Sequence, residues 1–271
     1  MEIINLNPKS DDPLARAHYQ TMKLVSGIIQ TISATLTYVW DDSIDLAATD
    51  GQKIYISRNC VAMVEGKQFT VNGQPVGVLA AWRTIILHEL AHIILGHCYY
   101  RMRDLKVSPE LKNIAMDHAV NLLIRQFAKA IKPSQLKALG IKGDPFPIFD
   151  GLFCDSKYTN MDAESIIQDI LKGLQPPKDP PVPVGQPPIT DDEGEGEGEG
   201  EGEGEGEGEG EGEGNGKGKG KGKGKGKGKL VSDDVRYPEL EDGETPDEAD
   251  AKQRKRIKDT IKIEELNKLA G

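Results

Sequence analysis

The densest chemistry in this 271-residue chain is the run His88-Glu89-Leu90-Ala91-His92, with His97 following five residues later. At 3.6 residues per turn, His88 and His92 lie about 40° apart and one turn along a helix. Two imidazoles so placed can grip one metal ion, and zinc is the ion this H-E-x-x-H spacing favours. Glu89 sits about 100° round from His88, beside the metal rather than on it. There a carboxylate can act as general base toward a zinc-activated water. A histidine pair on a buried helix can also be no more than hydrogen-bonded core residues. Against that, the motif lies between Ile86-Leu87 and Ile93-Ile94-Leu95. Burying two imidazoles and a carboxylate there without a metal would be costly.

The third ligand has three candidates. Asp117 falls among Ala115, Met116, Ala119 and Leu122, where an acidic residue needs a reason, and Asn121, one turn on, can orient it. Its plainer role is to hold a ligand imidazole from outside. His97 points away if the helix runs on, but a left-handed Gly96 would swing it back. Otherwise it is a C-terminal histidine against the last carbonyls. His118 is about 100° from Asp117 and could instead stabilise an oxyanion. The expected metal set is therefore His88, His92 and Asp117, with His97 or His118 as alternatives for the third place. His18 is expected to be a surface or core histidine. Tyr99, Tyr100 and Arg101, just past the motif, are candidates for polarising a carbonyl.

Several elements must position these residues. Val78 to about Gly96 is the most apolar helical stretch, hence the most buried. Ser108-Pro109-Glu110 opens the helix that carries Asp117 and runs to about Lys129. Asp12-Pro13 starts a first helix whose apolar positions continue from Leu14 to Ile32. Thr35–Trp40 and Lys53–Ser57 read as strands, the second as a cleft edge where an extended peptide could add. Phe69–Val71 and Gln74–Val76 suggest a hairpin around Asn72-Gly73. Residues 160–173 form a further amphipathic helix. Thr245-Pro246-Asp247-Glu248 is a capping box that opens a charged helix with a thin seam of Ile257, Ile261 and Leu266.

Between these parts the composition changes. From Gln175 the chain is Pro-rich, and residues 193–229 alternate strictly with glycine, eleven Glu and then seven Lys. Such a tract cannot bury a core. The domain reading is thus 1–175 globular, 176–231 a disordered low-complexity insert, and 232–271 a charged helical segment docking on the first domain. The net charge is −10, of which the tract carries −4 (7 Lys minus 11 Glu), leaving −6 elsewhere. A mildly acidic remainder argues against nucleic acid as partner. Three scattered cysteines without a C-x-x-C pair fit a reducing compartment. No signal peptide is visible, and the most apolar window contains Arg83, His88, Glu89 and His92, which would be expensive in a bilayer. A cytoplasmic protein without membrane contact is expected, its oligomeric state left open.

Three stretches together resemble the putative metallopeptidase domain of bacteria and their phages. They are Ala47-Ala48-Thr49-Asp50-Gly51-Gln52-Lys53-Ile54-Tyr55, the H-E-x-x-H with His97 and Arg101, and Asn113-Ile114-Ala115-Met116-Asp117 with Asn121. The resemblance covers roughly residues 10–175 and 232–271. In longer members this domain precedes a von Willebrand factor A-like domain. The resemblance implies a zincin-like α+β fold, mostly helical with a small sheet. It also implies zinc on His88 and His92, Glu89 as base, and Asp117 as third ligand. The expected function is a zinc metallopeptidase acting on protein or peptide. The alternative is a catalytically silent, zinc-stabilised protein-binding module.

Overall fold

The computed structural model describes residues 2–7, 9–25, 27–174 and 234–270. The insert expected at 176–231 lies outside the described residues. Residues on either side of it belong to one compact unit. The described chain is α+β, mostly helical with a small mixed sheet.

The helix expected from Pro13 to Ile32 is two helices, α1 (Pro13–Leu24) and α2 (Gly27–Ala34). Asp12 caps α1 by accepting from the Leu14 amide at 2.9 Å. The break falls where Val25 turns extended, with a glycine two residues on, and both residue types are weak helix formers. The Gln30 side chain bonds the carbonyls of Met22 (2.6 Å) and Val25 (3.3 Å), satisfying the broken end. Apolar periodicity runs across the break because both helices turn a face to the same core, with Leu14, Ala17, Leu24 and Ile29 buried together.

The main sheet has the order β1-β2-β4-β3-β7, from β1 (Glu2–Ile3), β2 (Thr37–Trp40), β3 (Ala47–Thr49), β4 (Lys53–Ile56) and β7 (Asp234–Val235). Strand β4 is parallel to β2 and antiparallel to β3. It is therefore central, which corrects the expectation that Lys53–Ser57 forms an open cleft edge. Tyr38, Ile54 and Ile56 all belong to one buried cluster, so a strand this apolar is covered rather than exposed. The outer side of β3 is taken by β7 in parallel register, Ala48 opposite Asp234 and Thr49 opposite Val235. Asp50 holds the β3–β4 turn, accepting from the amides of Gln52 and Lys53 and from the Tyr55 hydroxyl. Helix α3 (Arg58–Glu65) follows, with Ser57 capping it through the Cys60 amide at 3.0 Å. The expected hairpin is present as β5 (Thr70–Val71) and β6 (Gln74–Pro75).

Helix α4 (Val78–Ile94) is the centre of the core, with Ile86, Leu87, Leu90 and Ala91 at 0 % exposure. Apolar side chains all round its axis require neighbours all round, and α1, the sheet and α6 (Pro109–Ala130) supply them. A short helix α5 (Tyr100–Arg103) follows α4, and α7 (Pro133–Ala138) follows α6. Helix α8 (Ala163–Leu174) packs Ile166 and Ile167 against Met116, Ala119 and Leu122 of α6. The last helix, α9 (Pro246–Ala270), begins with the expected capping box, Thr245 and Glu248 bonding one another's backbone amides. Its Ile257 packs on Ile32, Ile93 and Cys98. No helix among the described residues is long and apolar enough to cross a membrane.

Candidate metal centre

Two helices meet at the site. α4 presents His88 and His92 on successive turns, and α6 crosses it with Asp117. The three side chains are buried, and one donor atom from each lies within 4.8 Å of the others. His88 Nε2 and His92 Nε2 are 3.0 Å apart. Asp117 Oδ1 is 3.4 Å from the first and 3.6 Å from the second. Ligand bonds of about 2.0–2.1 Å at tetrahedral angles would place donor atoms about 3.3 Å apart. The three separations bracket that value, so the set fits a small divalent cation.

The protonation pattern points the same way. The Asn121 side-chain amide donates to the Phe153 carbonyl at 3.0 Å, which turns its oxygen toward His88 Nδ1 at 3.3 Å. An oxygen acceptor there requires His88 to donate from Nδ1, leaving a lone pair on Nε2. That lone pair faces a second imidazole and a carboxylate oxygen. Electron-rich atoms converging in a buried space are held together by a shared proton or by a cation. Without a metal the groups answer one another. Burial works to lower the His88 pKa, but the Asp117 carboxylate, with Glu89 and Asn121 behind it, makes the net shift upward. Burial would raise the Asp117 carboxyl, yet the two imidazoles hold it below its ordinary value. His92 falls to about 4, chiefly through desolvation.

His97 is brought back toward the site by the mechanism expected of Gly96. Gly96 is left-handed, with φ +71°, and the His97 amide bonds the His92 carbonyl at 2.9 Å while the Gly96 amide bonds Ile93. This is a Schellman ending, in which the residue after the left-handed one returns to the last full turn. The His97 ring lands on the far side of His92, Nδ1 to Nδ1 at 3.0 Å. It lies outside the converging group and serves His92 as Asn121 serves His88. Both imidazoles of the pair are thus oriented through the nitrogen turned away from the cluster, a recurring arrangement around metal-ligating histidines.

The other candidates separate. Glu89 is 2 % exposed, and desolvation pushes its carboxyl up to about 7, with His88 lowering it and Asp117 raising it further. Its charge raises the pKa of His88 in the cluster as well as those of Tyr38, Cys60 and Cys98. His118 accepts from the Asp155 amide at 3.0 Å through Nδ1 and packs edge-on to Tyr158, away from the converging group. His18 is partly buried and bonded to Ser33 at 3.0 Å. Asn121 faces His88 and not Asp117, which corrects the role expected of it. The Tyr100 hydroxyl donates to the Pro238 carbonyl, and Arg101, half exposed, meets Glu164 at 3.6 Å. Two functional placements escaped sequence reasoning. The His97–His92 contact needed the helix ending to be seen, although Gly96 signals it. The Asn121–His88 contact needed the crossing of two helices.

The fold and the cluster together define an α+β domain with a buried site able to hold a divalent metal ion. The chain belongs to the putative metallopeptidase domain family, whose model matches residues 12–271. Among curated proteins and among solved structures no match is found.

Proposed function

We propose that the protein is a zinc-dependent metallopeptidase with a zincin-like active-site helix. The observation that supports this most is the tetrahedral spacing of the His88, His92 and Asp117 donor atoms in a buried space. Zinc held by these three residues would supply a Lewis acid and a water of lowered pKa. The remaining work falls to the chain. Asn121 and His97 hold the two imidazoles in orientation, and Asp117 offsets the charge of the cation. Glu89 takes the proton of the attacking water and returns it to the leaving amine. The substrate is a protein or peptide, with neither nucleic acid nor membrane as partner. Buried free thiols at Cys60 and Cys98 suit a reducing cytoplasm.

The test is zinc stoichiometry together with cleavage of a peptide library, for the parent, Glu89→Gln and Asp117→Ala. Glu89→Gln should keep one zinc per chain and lose cleavage by roughly 10²–10⁴-fold, the usual worth of a general base. Asp117→Ala should lose the metal. Equal cleavage by Glu89→Gln and the parent would overturn the role of Glu89. One zinc per chain with no cleavage of any peptide would favour the binding module.

A further inference from the structure

We propose that Asp250, on the C-terminal helix, is a positioning residue of the metal centre. The inference rests on the metal-site reading above and concerns residues far from it in sequence. Asp250 is 5 % exposed, on a helix otherwise rich in solvated charge. One of its carboxylate oxygens accepts from the Tyr100 amide at 2.6 Å, the other from the Arg101 amide at 3.3 Å. These amides open α5, directly after the turn that carries His97.

The same turn is held from three further directions. The Arg254 guanidinium lies over the Tyr99 ring at 5.2 Å. That ring closes on Gly96, so that a Cβ there would stand 2.8 Å from it. The Tyr100 hydroxyl donates to the Pro238 carbonyl. The segment Gly96–Arg101 therefore has one end in α4 and the other clamped by residues 238–254. Between them His97 holds its 3.0 Å contact with His92.

The chain of contact is short: Asp250 to the Tyr100 amide, three residues back to His97, and His97 to His92. A buried carboxylate that receives two backbone amides is a rigid anchor. Among the described residues no other side chain accepts from those two amides, so its loss loosens the turn at that end, and the His97 ring is held less firmly against His92. The segment beyond the Glu-Gly and Lys-Gly tract is thereby a structural part of the metal centre.

The experiment measures zinc affinity by competition with a chromophoric chelator, and the absorption spectrum of the cobalt-substituted protein, both well below the unfolding temperature. The variants are Asp250→Ala, Asp250→Asn, His97→Ala and the double variant His97→Ala/Asp250→Ala, with Lys252→Ala as a control on the same helix. Asp250→Ala should weaken zinc binding roughly 10-fold or more, in the range for loss of a group that orients a ligand. It should also alter the cobalt spectrum. Asp250→Asn, which keeps one acceptor oxygen, should fall between it and the parent, and it carries the test if Asp250→Ala does not fold. In the His97→Ala background, removing Asp250 should cost little further affinity, because the two act in series. Parent-like affinity in folded Asp250→Ala or Asp250→Asn, or additive losses in the double variant, would overturn the proposal. A parent that binds no zinc would instead overturn the metal-site reading itself.

Discussion

Asn121 offers the sharpest test of how the metal centre is built. It is fully buried, its oxygen 3.3 Å from His88 Nδ1 and its amide nitrogen 3.0 Å from the Phe153 carbonyl. Asn121→Ala leaves the His88 N–H without an acceptor, a cost of about 1–3 kcal/mol to the metal-free protein. It also frees the His88 ring to rotate, and loss of such a partner weakens metal binding roughly 10–100-fold. Tenfold is about 1.4 kcal/mol. With free zinc buffered at about 1,000 times the parent dissociation constant, the parent gains about 4.1 kcal/mol on binding. The variant would gain only about 1.4–2.7 kcal/mol under the same conditions. For a chain of this size each kcal/mol moves Tm by roughly 2–4 °C. The zinc-induced rise in Tm should therefore be smaller in the variant by roughly 3–11 °C. Asn121→Asp separates the two contacts, because a carboxylate still accepts from His88 but cannot donate to Phe153. It should lower the stability of the metal-free protein while binding zinc about as well as the parent. Thermal unfolding with and without buffered zinc reads both quantities. Asn121→Ala with the parent's zinc-induced shift would refute the argument, as would Asn121→Asp losing as much affinity as Asn121→Ala.

Other perturbations follow from the same structure. Chelation of divalent ions should lower the Tm of the parent and leave that of His92→Ala unchanged; a chelator without effect on the parent would remove the metal from the account. Gly96→Ala forces a side chain into a left-handed residue at φ +71° and against the Tyr99 ring, and should cost at least about 1–2 kcal/mol in urea unfolding as well as zinc affinity. His18 has its pKa lowered from 6.5 to about 4 by burial, so it stays neutral when folded and takes up a proton more readily when unfolded. Its contribution is complete above pH 6.5 and is lost as pH falls toward 4, by up to roughly 3 kcal/mol. Urea unfolding of His18→Gln across that window should show a correspondingly shallower acid loss than the parent.

Much of the candidate site was legible because its signals are local. The one-turn spacing of His88 and His92 is a property of the helix itself, and an apolar stretch from Val78 to Ile94 can hardly fold as anything but a buried helix. Asp117 was conspicuous for the same reason, an acid on a face otherwise made of alanine, methionine and leucine. The caps at Asp12, Ser108 and Thr245 were readable because each bonds an amide two or three residues away. What failed depended on neighbours. The apolar period from Leu14 to Ile32 conceals the break at Val25, since two helices facing one core keep the same pattern. Strand β3 (Ala47–Thr49) is too short and too small in its side chains to declare itself, so the central place of β4 could not be read.

The sequence by itself determined that two imidazoles share a helix face and that a glutamate stands beside them, and it offered Gly96 as a point where the chain could turn. These are consequences of backbone geometry within one element, where the separation along the chain is at most a few residues. Only the tertiary structure decided which oxygen completes the cluster, which nitrogen His97 reaches, and that the last helix anchors the turn between them. Asp117 stands 29 and 25 positions from His88 and His92, and Asp250 stands 150 from Tyr100; even the five-residue reach of His97 to His92 is fixed by a turn that α9 holds, so these pairings depend on how α4, α6 and α9 cross. Crossing is set by the fit of whole buried faces, a sum over many side chains that no local spacing encodes.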